Sequence, residues 1–132
     1  MAKAFCLLNH ALTERQKAEL FADFACEELI YPPEAVSRAW SSVSTIKELT
    51  YLQLKPFSDW LAGAAAGDVA VLQGEAGSNF ALVDFALQKG LVPVHAVTQR
   101  IALESRKGEK VRRRYEFEHI CFRRYQYFKD YC

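Results

Sequence analysis

Hydrophobic positions change period along the chain, and each change marks an element. Lys3 to Asn9 carries the apolar run Phe5, Cys6, Leu7 and Leu8, which predicts a first strand ending in the polar pair Asn9 and His10. Thr13-Glu-Arg-Gln16 has the form of a capping box. It opens a helix whose inward stripe reads as Ala18, Phe21, Phe24 and Ala25, with Leu20 at the edge. Glu28 to Tyr31 is a short second strand stopped by Pro32 and Pro33. Those prolines suit a helix start near Glu34, with Val36, Ala39, Trp40 and Val43 as its buried face. Thr45-Ile-Lys-Glu48 reads as another capping box, ahead of Leu49, Leu52, Phe57, Trp60, Leu61 and Ala64 at helical spacing. Pro56 lacks the N–H that a helix interior needs, so a kink or a division is expected there.

The centre of the pattern is Val69 to Leu72, a short apolar run that fits a strand buried on both faces of a parallel sheet. Gly74 and Gly77 break it. From Ser78 the spacing becomes helical, with Phe80, Val83, Ala86 and Leu87 on one face and Lys89-Gly90 closing the helix. Leu91 to Val97 is a fourth strand ending in Thr98-Gln99-Arg100. Residues 101–106 and 111–123 then predict a hairpin turning around Gly108, followed by an aromatic tail that packs on this chain or on a twin. Along the last strand Tyr115, Phe117, His119, Cys121 and Arg123 point one way. The order β-α-β-α-α-β-α-β, then β-β, predicts an α/β fold in one domain over residues 1–132. Its form is a Rossmann-like, mostly parallel sheet flanked by helices, with a C-terminal antiparallel hairpin at about residues 100–125.

Composition narrows the class. At 132 residues and 51% hydrophobic content, the chain can bury a core and is not disordered. No apolar run approaches the roughly 20 residues that span a bilayer, and the N-terminal apolar stretch is too short for a signal peptide. Cys6, Cys26, Cys121 and Cys132 are widely spaced, which predicts packed, reduced thiols in a cytoplasmic protein and no structural zinc. Charge is unevenly distributed. Residues 1–99 carry 7 Lys and Arg against 11 Asp and Glu, whereas residues 100–132 carry 10 against 5. A basic C-terminal segment suggests a polyanionic partner or an acidic surface on a neighbouring subunit.

Ligands of such sheets sit beyond the carboxyl ends of the strands. Three polar ends are expected to converge there: Asn9-His10, Gln73-Gly74 with Ser78-Asn79, and Thr98 with Arg100. The glycine turn offers backbone N–H groups at a helix N-terminus to an anion, with Glu75 opposing a phosphate unless it points away. The turn is neither a P-loop nor a complete dinucleotide fingerprint, and its glycines can equally be there only to permit a tight turn. His10 can be a ligand contact or loop packing, and histidine as a residue type exchanges protons in the physiological range. His95, inside an apolar strand, reads as a structural histidine. His119 shares a strand face with Arg123, and both are secondary candidates for ligand contact. Arg100 is placed to clamp a phosphate. Arg112-Arg113-Arg114 reads most simply as a solvated strand end. No carboxylate pair, metal-ligand cluster or Cys-His dyad has diagnostic spacing, so no metal or cofactor is expected. Asn, His, Gln, Ser, Thr and Arg beside a helix N-terminus suit a phosphodiester or a nucleotide.

Five blocks, in order from Phe5 to Tyr125, carry a family resemblance. They are Phe-Cys-Leu-Leu-Asn-His-x-Leu-Thr from Phe5, Leu-Lys-Pro-Phe-Ser-Asp-Trp-Leu from Leu54, and Gly-Asp-Val-Ala-Val-Leu-Gln-Gly-Glu-Ala-Gly from Gly67. Leu-Val-Pro-Val-His-Ala-Val-Thr-x-Arg from Leu91 and Phe-Glu-His-Ile-Cys-Phe-Arg-x-Tyr from Phe117 complete the set. In combination they resemble the small CRISPR-associated Csx-twenty family. The resemblance implies a stand-alone CARF-like domain, a homodimer attached to type III CRISPR systems. It also implies a ring nuclease that linearises cyclic oligoadenylate second messengers, with cyclic tetra-adenylate favoured. By position, His10 and Arg100 would be catalytic. Asn9, Gln73, Gly74, Glu75, Gly77, Ser78, Asn79, Thr98, His119 and Arg123 would contact the ligand. A sensor or sponge that binds without cutting, and a basic protein that binds nucleic acid through the hairpin, stay open as alternatives. Neither a membrane nor a stable DNA or long-RNA partner is expected.

Overall fold

Residues 4–7 and 69–72 are apolar at every position, so both runs must be covered on two faces. The computed structural model describes residues 1–45 and 47–132, and it meets that requirement with a mixed α/β architecture. The strands are β1 (Ala2–Leu7), β2 (Cys26–Ile30), β3 (Val69–Leu72), β4 (Val92–Lys107) and β5 (Lys110–Arg124). The helices are α1 (Glu14–Ala22), α2 (Glu34–Ser42), α3 (Tyr51–Leu61) and α4 (Ala76–Lys89). All five strands form one sheet in the order β2-β1-β3-β4-β5, parallel except for the antiparallel β4–β5 pair.

Strand alternation divides the core into two layers. Phe5 and Leu7 of β1, with Ala70 and Leu72 of β3, face Trp40 of α2, Phe57 and Leu61 of α3, and Leu82 and Ala86 of α4. Ala4, Cys6, Val69, Val71 and Val94 face the other way, toward Leu12, Leu20 of α1, and Phe122 of β5. Three helices therefore cover one face, while α1 alone covers the other. The chain passes from β1 to β2 on one side, then returns through α2 and α3 to place β3 on the other side of β1. A crevice lies beyond the carboxyl ends of β1 and β2, beside that reversal. Among the described residues no helix is long and apolar enough to cross a membrane.

Several expectations shift. The inward stripe of α1 is displaced: Gln16 and Leu20 are its buried residues, while Ala18 is exposed and Phe21 is 46% exposed. Polar residues occupy the buried face because they grip β5. Glu19 holds His119 Nε2 at 2.7 Å through one oxygen and accepts the Phe122 N–H at 2.7 Å through the other. Gln16 accepts the Thr13 N–H at 3.0 Å, as the capping box requires, and lies 3.3 Å from His119 Nδ1. The second strand begins at Cys26, ahead of the expected Glu28.

Thr45 does not open α3. It ends a 3-10 turn (Val43–Thr45), and α3 starts at Tyr51, where the Gln53 side chain accepts the Thr50 N–H at 2.8 Å. Ile46, within the expected capping box, lies outside the described residues. Pro56 does not divide α3. It falls in the second turn, where its ring removes one hydrogen bond, to the carbonyl of Leu52, and that residue is 76% exposed to water. Leu52 thus leaves the expected inward face, as does Phe80 of α4 at 78% exposure.

The fourth strand does not end at Val97, because nothing from Thr98 to Arg100 breaks it. β4 continues for 16 residues and pairs with β5 from Val94↔Arg124 to Lys107↔Lys110. One irregularity interrupts the ladder: Val97 faces Cys121 and Thr98 faces His119, leaving Ile120 without a partner. The strict alternation expected of the last strand therefore fails, and His119 and Phe122 both turn toward α1.

The Glu19 clamp is a stability element with a defined phase. Glu19→Ala leaves the Phe122 N–H and the His119 ring without their acceptor and should cost about 1–3 kcal/mol. Phe21→Ala, at the position where spacing alone would place the core, should cost clearly less. Urea denaturation of both variants measures the difference.

Candidate functional site

The site is built where β1 and β3 end together. The Gln73 N–H donates to the Leu7 carbonyl at 3.1 Å, which keeps the two ends level. Helix α2 spans them. Trp40 Nε1 donates to the Gln73 carbonyl at 2.9 Å, and Ser41 Oγ donates to Asn9 Oδ1 at 3.0 Å. Beside them lies an open crevice of about 330 Å³, lined by Leu8, Asn9, His10, Tyr31, Pro32 and Ser37 among others. The His10 ring is exposed, with Nδ1 3.1 Å from the Ala11 carbonyl. A carbonyl only accepts, so this contact puts a proton on Nδ1, and in the neutral ring Nε2 is the acceptor. Cys6 also lines the crevice, but burial, with a smaller contribution from Cys26, pushes its thiol up to about 12. It stays protonated near neutrality and is not a nucleophile.

The glycine turn does not have the expected form. A Cβ on Gly74 would lie 2.5–2.7 Å from the Trp40 indole, so glycine is required there by a buried ring. Glu75 is the N-cap of α4, and its carboxylate accepts the N–H groups of Gly77 and Ser78 at 2.8 Å each. The donors that the sequence offers to an outside anion are thus held by the chain's own carboxylate. Those contacts, Ser78 first and Gly77 second, keep the Glu75 carboxyl below its ordinary range. Ser78 is fully buried and donates its hydroxyl to the Glu75 carbonyl at 3.1 Å. Asn79 Nδ2 donates to the Tyr125 hydroxyl at 2.8 Å, while Asn79 Oδ1 and Gln73 Oε1 are buried with no hydrogen-bond partner among the described residues.

The third expected strand end goes elsewhere. Val71 pairs with Val94, which sets Leu72 level with His95. Arg100 is five residues further along β4, about 16 Å beyond the end of β3 at the usual strand rise. It stacks on the Tyr115 ring, 3.6 Å from the centroid. Thr98 faces His119, which is buried against α1, and Arg123 donates Nε to His95 Nε2 at 3.3 Å. The His95 ring lies 4.6 Å from Tyr125, and burial, then the Arg123 charge, lowers its pKa. Among the described residues, no hydrogen bond or ion pair joins Thr98, Arg100, His119 or Arg123 to Asn9 or His10. Sequence reasoning missed Ser37, Ser41 and Tyr31. The two serines lie one turn apart on α2, a polar stripe that could have been noted beside Trp40. Among the described residues no three His, Cys, Asp or Glu side chains gather as a metal-ligand set.

A family model described as "Uncharacterized protein MJ1673 family" matches residues 2–123, and the chain belongs to that family. It is similar to the uncharacterized protein MJ1673 of Methanocaldococcus jannaschii, with 32% identity over 126 residues, covering 95% of this chain and 98% of that protein. No solved structure matches.

Two expectations test the turn. Gly74→Ala forces a methyl against the Trp40 ring and should cost about 1–3 kcal/mol, read by chemical denaturation. Because the Glu75 pKa is lowered on folding, its contribution to stability is complete above the ordinary value of 4.5 and is lost as pH falls through the lowered value. Stability of the wild type should therefore fall more steeply than that of Glu75→Gln as pH drops below 4.5. Thermal melts across that range check the sign.

Proposed function

We propose that this member of the MJ1673 family is a ring nuclease with a Rossmann-like, CARF-like domain. It acts as a cytoplasmic homodimer that binds cyclic oligoadenylate, cyclic tetra-adenylate foremost, and opens the ring without a metal. The product ends type III CRISPR signalling. Support comes from the five ordered blocks that resemble the Csx-twenty family. The observation that carries the chemistry is His10, an exposed imidazole in a strand-end crevice with Nδ1 turned to a carbonyl and Nε2 the acceptor of the neutral ring.

The ligand brings its own nucleophile. In ring opening, a ribose 2′-oxygen attacks the adjacent phosphorus, the P–O5′ bond breaks, and the 5′-oxygen takes a proton from solvent. His10 Nε2 receives the proton that leaves the 2′-hydroxyl. Asn9, Ser37 and the Tyr31 ring hold the nucleoside, so that the 2′-oxygen lies in line with the leaving oxygen. The product is a linear oligoadenylate with a 2′,3′-cyclic phosphate and a 5′-hydroxyl, and no water is consumed.

A second reading, binding without cleavage, is favoured by one feature. Glu75 occupies N–H groups that would otherwise stabilise a charged transition state. Product analysis separates the two. Incubation with cyclic oligoadenylates of three to six units in EDTA should yield linear products carrying a 2′,3′-cyclic phosphate. His10→Ala should slow cleavage by about 10²–10⁴-fold while ligand affinity changes much less. Tight binding with the ring recovered intact would establish the sensor instead, and no binding of any ring size would end both.

A further inference from the structure

Beyond the level of Thr98 and His119, β4 and β5 leave the sheet as a two-stranded arm. Its last ties to the body are the Arg15–Glu118 ion pair at 3.1 Å and the Glu19 and Gln16 contacts to His119. From Thr98 to Lys107 the arm is ten residues long, about 33 Å at the usual strand rise. A two-stranded ribbon is at best marginally stable alone in water. One side of this ribbon also carries exposed apolar side chains, set among Arg100, Arg106 and the Arg113–Glu104 ion pair at 3.1 Å. Register places Phe117 opposite Arg100, Tyr115 opposite Ala102 and Val111 opposite Arg106, all on one side. Phe117 is 73% exposed, Tyr115 49% and Val111 48%. The face continues the side of the sheet that α1 covers, and α1 stops short of it.

Charge indicates what covers it. Residues 98–118 hold 7 Lys and Arg against 4 Glu, whereas residues 1–97 hold 7 against 11. A basic arm and an acidic body on one chain are complementary between two copies. The strand-end crevice is incomplete in the same sense: none of its lining residues is lysine or arginine, although its proposed ligand is a phosphodiester. Lys17 and Arg38 lie near its rim without lining it, and the arm carries seven further cations of the kind that a phosphate needs.

We infer that two copies of this chain exchange their arms. The Arg100–Tyr115–Phe117 face of one copy packs on the body of the other, and Arg100 supplies its guanidinium to the partner's strand-end crevice. The contact is mutual, as a two-fold dimer requires. The interface stands on the geometry of the arm and on the charge of arm and body. The role of Arg100 rests also on the ring-opening function proposed above.

Three measurements test this. Sedimentation should show a dimer at micromolar concentration, and Phe117→Glu should be monomeric with an unchanged circular dichroism spectrum. A monomeric wild type, or a variant that stays dimeric, overturns the interface. If that monomer instead retards a labelled single-stranded oligonucleotide and releases it with salt, the arm is a nucleic-acid surface. Next, a photo-crosslinking p-benzoylphenylalanine in place of Ala102 should join to a second copy near residues 8–11 or 31–41. This holds whether or not the protein opens a ring, and crosslinks confined to another part of the body overturn the placement. Finally, His10→Ala and Arg100→Ala should each be inactive, and equal mixing with subunit exchange should restore about a quarter of wild-type cleavage. Half of the dimers are then mixed, and each has one intact site. No recovery on mixing, or full activity of Arg100→Ala alone, overturns the action across subunits. A wild type that dimerises and crosslinks as expected but cleaves no ring supports the interface and removes the ring-opening function.

Discussion

The indole of Trp40 is the constraint on which the site depends. Only 1% exposed, it packs edge-on against Phe57 with ring centroids 5.0 Å apart, joining α2 to α3. Its ring occupies the space where a side chain at position 74 would lie, and its N–H holds the Gln73 carbonyl. A buried indole N–H without an acceptor is costly, so the exit of β3 is fixed by both the face and the edge of one ring. Once that exit is set, the level of β1 follows through the Gln73 N–H to the Leu7 carbonyl, and Asn9 meets Ser41 of the same helix. Glycine at 74 is thus a packing requirement that happens to sit at a turn. An anion-binding explanation is unnecessary there, and Glu75 fills the helix N-terminus besides.

Legibility in the sequence followed the physics of each element. The runs at β1 and β3 were read correctly because double-sided burial leaves no polar position to confuse the pattern. The inward face of α2 was legible because Trp40 dominates it and Val43, just past the helix end, continues it. The face of α1 was not, since its buried positions include Gln16 and its contacts to β5 are made by Glu19. A polar residue that buries itself by gripping a distant strand looks like a solvent face until the partner is known, and His119 is 100 residues away from Glu19. Phe21 and Phe80 misled for the converse reason: a large apolar side chain at the surface is common and breaks no rule.

The candidate site divides in the same way. Asn9, His10 and Gln73 were placed by strand direction alone, because the ends of adjacent parallel strands must share one edge of the sheet. Arg100 was misplaced because its position assumed that β4 stops where β3 stops. Nothing local stops it. Pairing with β5 from Val94 to Lys107 carries β4 far past the end of β3, and that pairing is a property of residues 110–124 that β4 itself does not announce. Long-range register, and not propensity, decided where that charge lies.

One long strand therefore performs two tasks with opposite demands. At its start β4 lies parallel to β3, where Val94 is fully buried and the surroundings are apolar. At its far end it is antiparallel, charged and exposed. The chain thereby keeps Arg100 away from the crevice that holds His10. A cation beside a neutral imidazole opposes the charge that the imidazole gains when it takes a proton, so under the proposed ring opening the separation favours proton uptake. The same cation is useful once a phosphate is bound, because the ligand's negative charge screens the imidazole from it. In the proposed dimer, delivery of Arg100 from a second copy meets both conditions, because the charge arrives only with assembly.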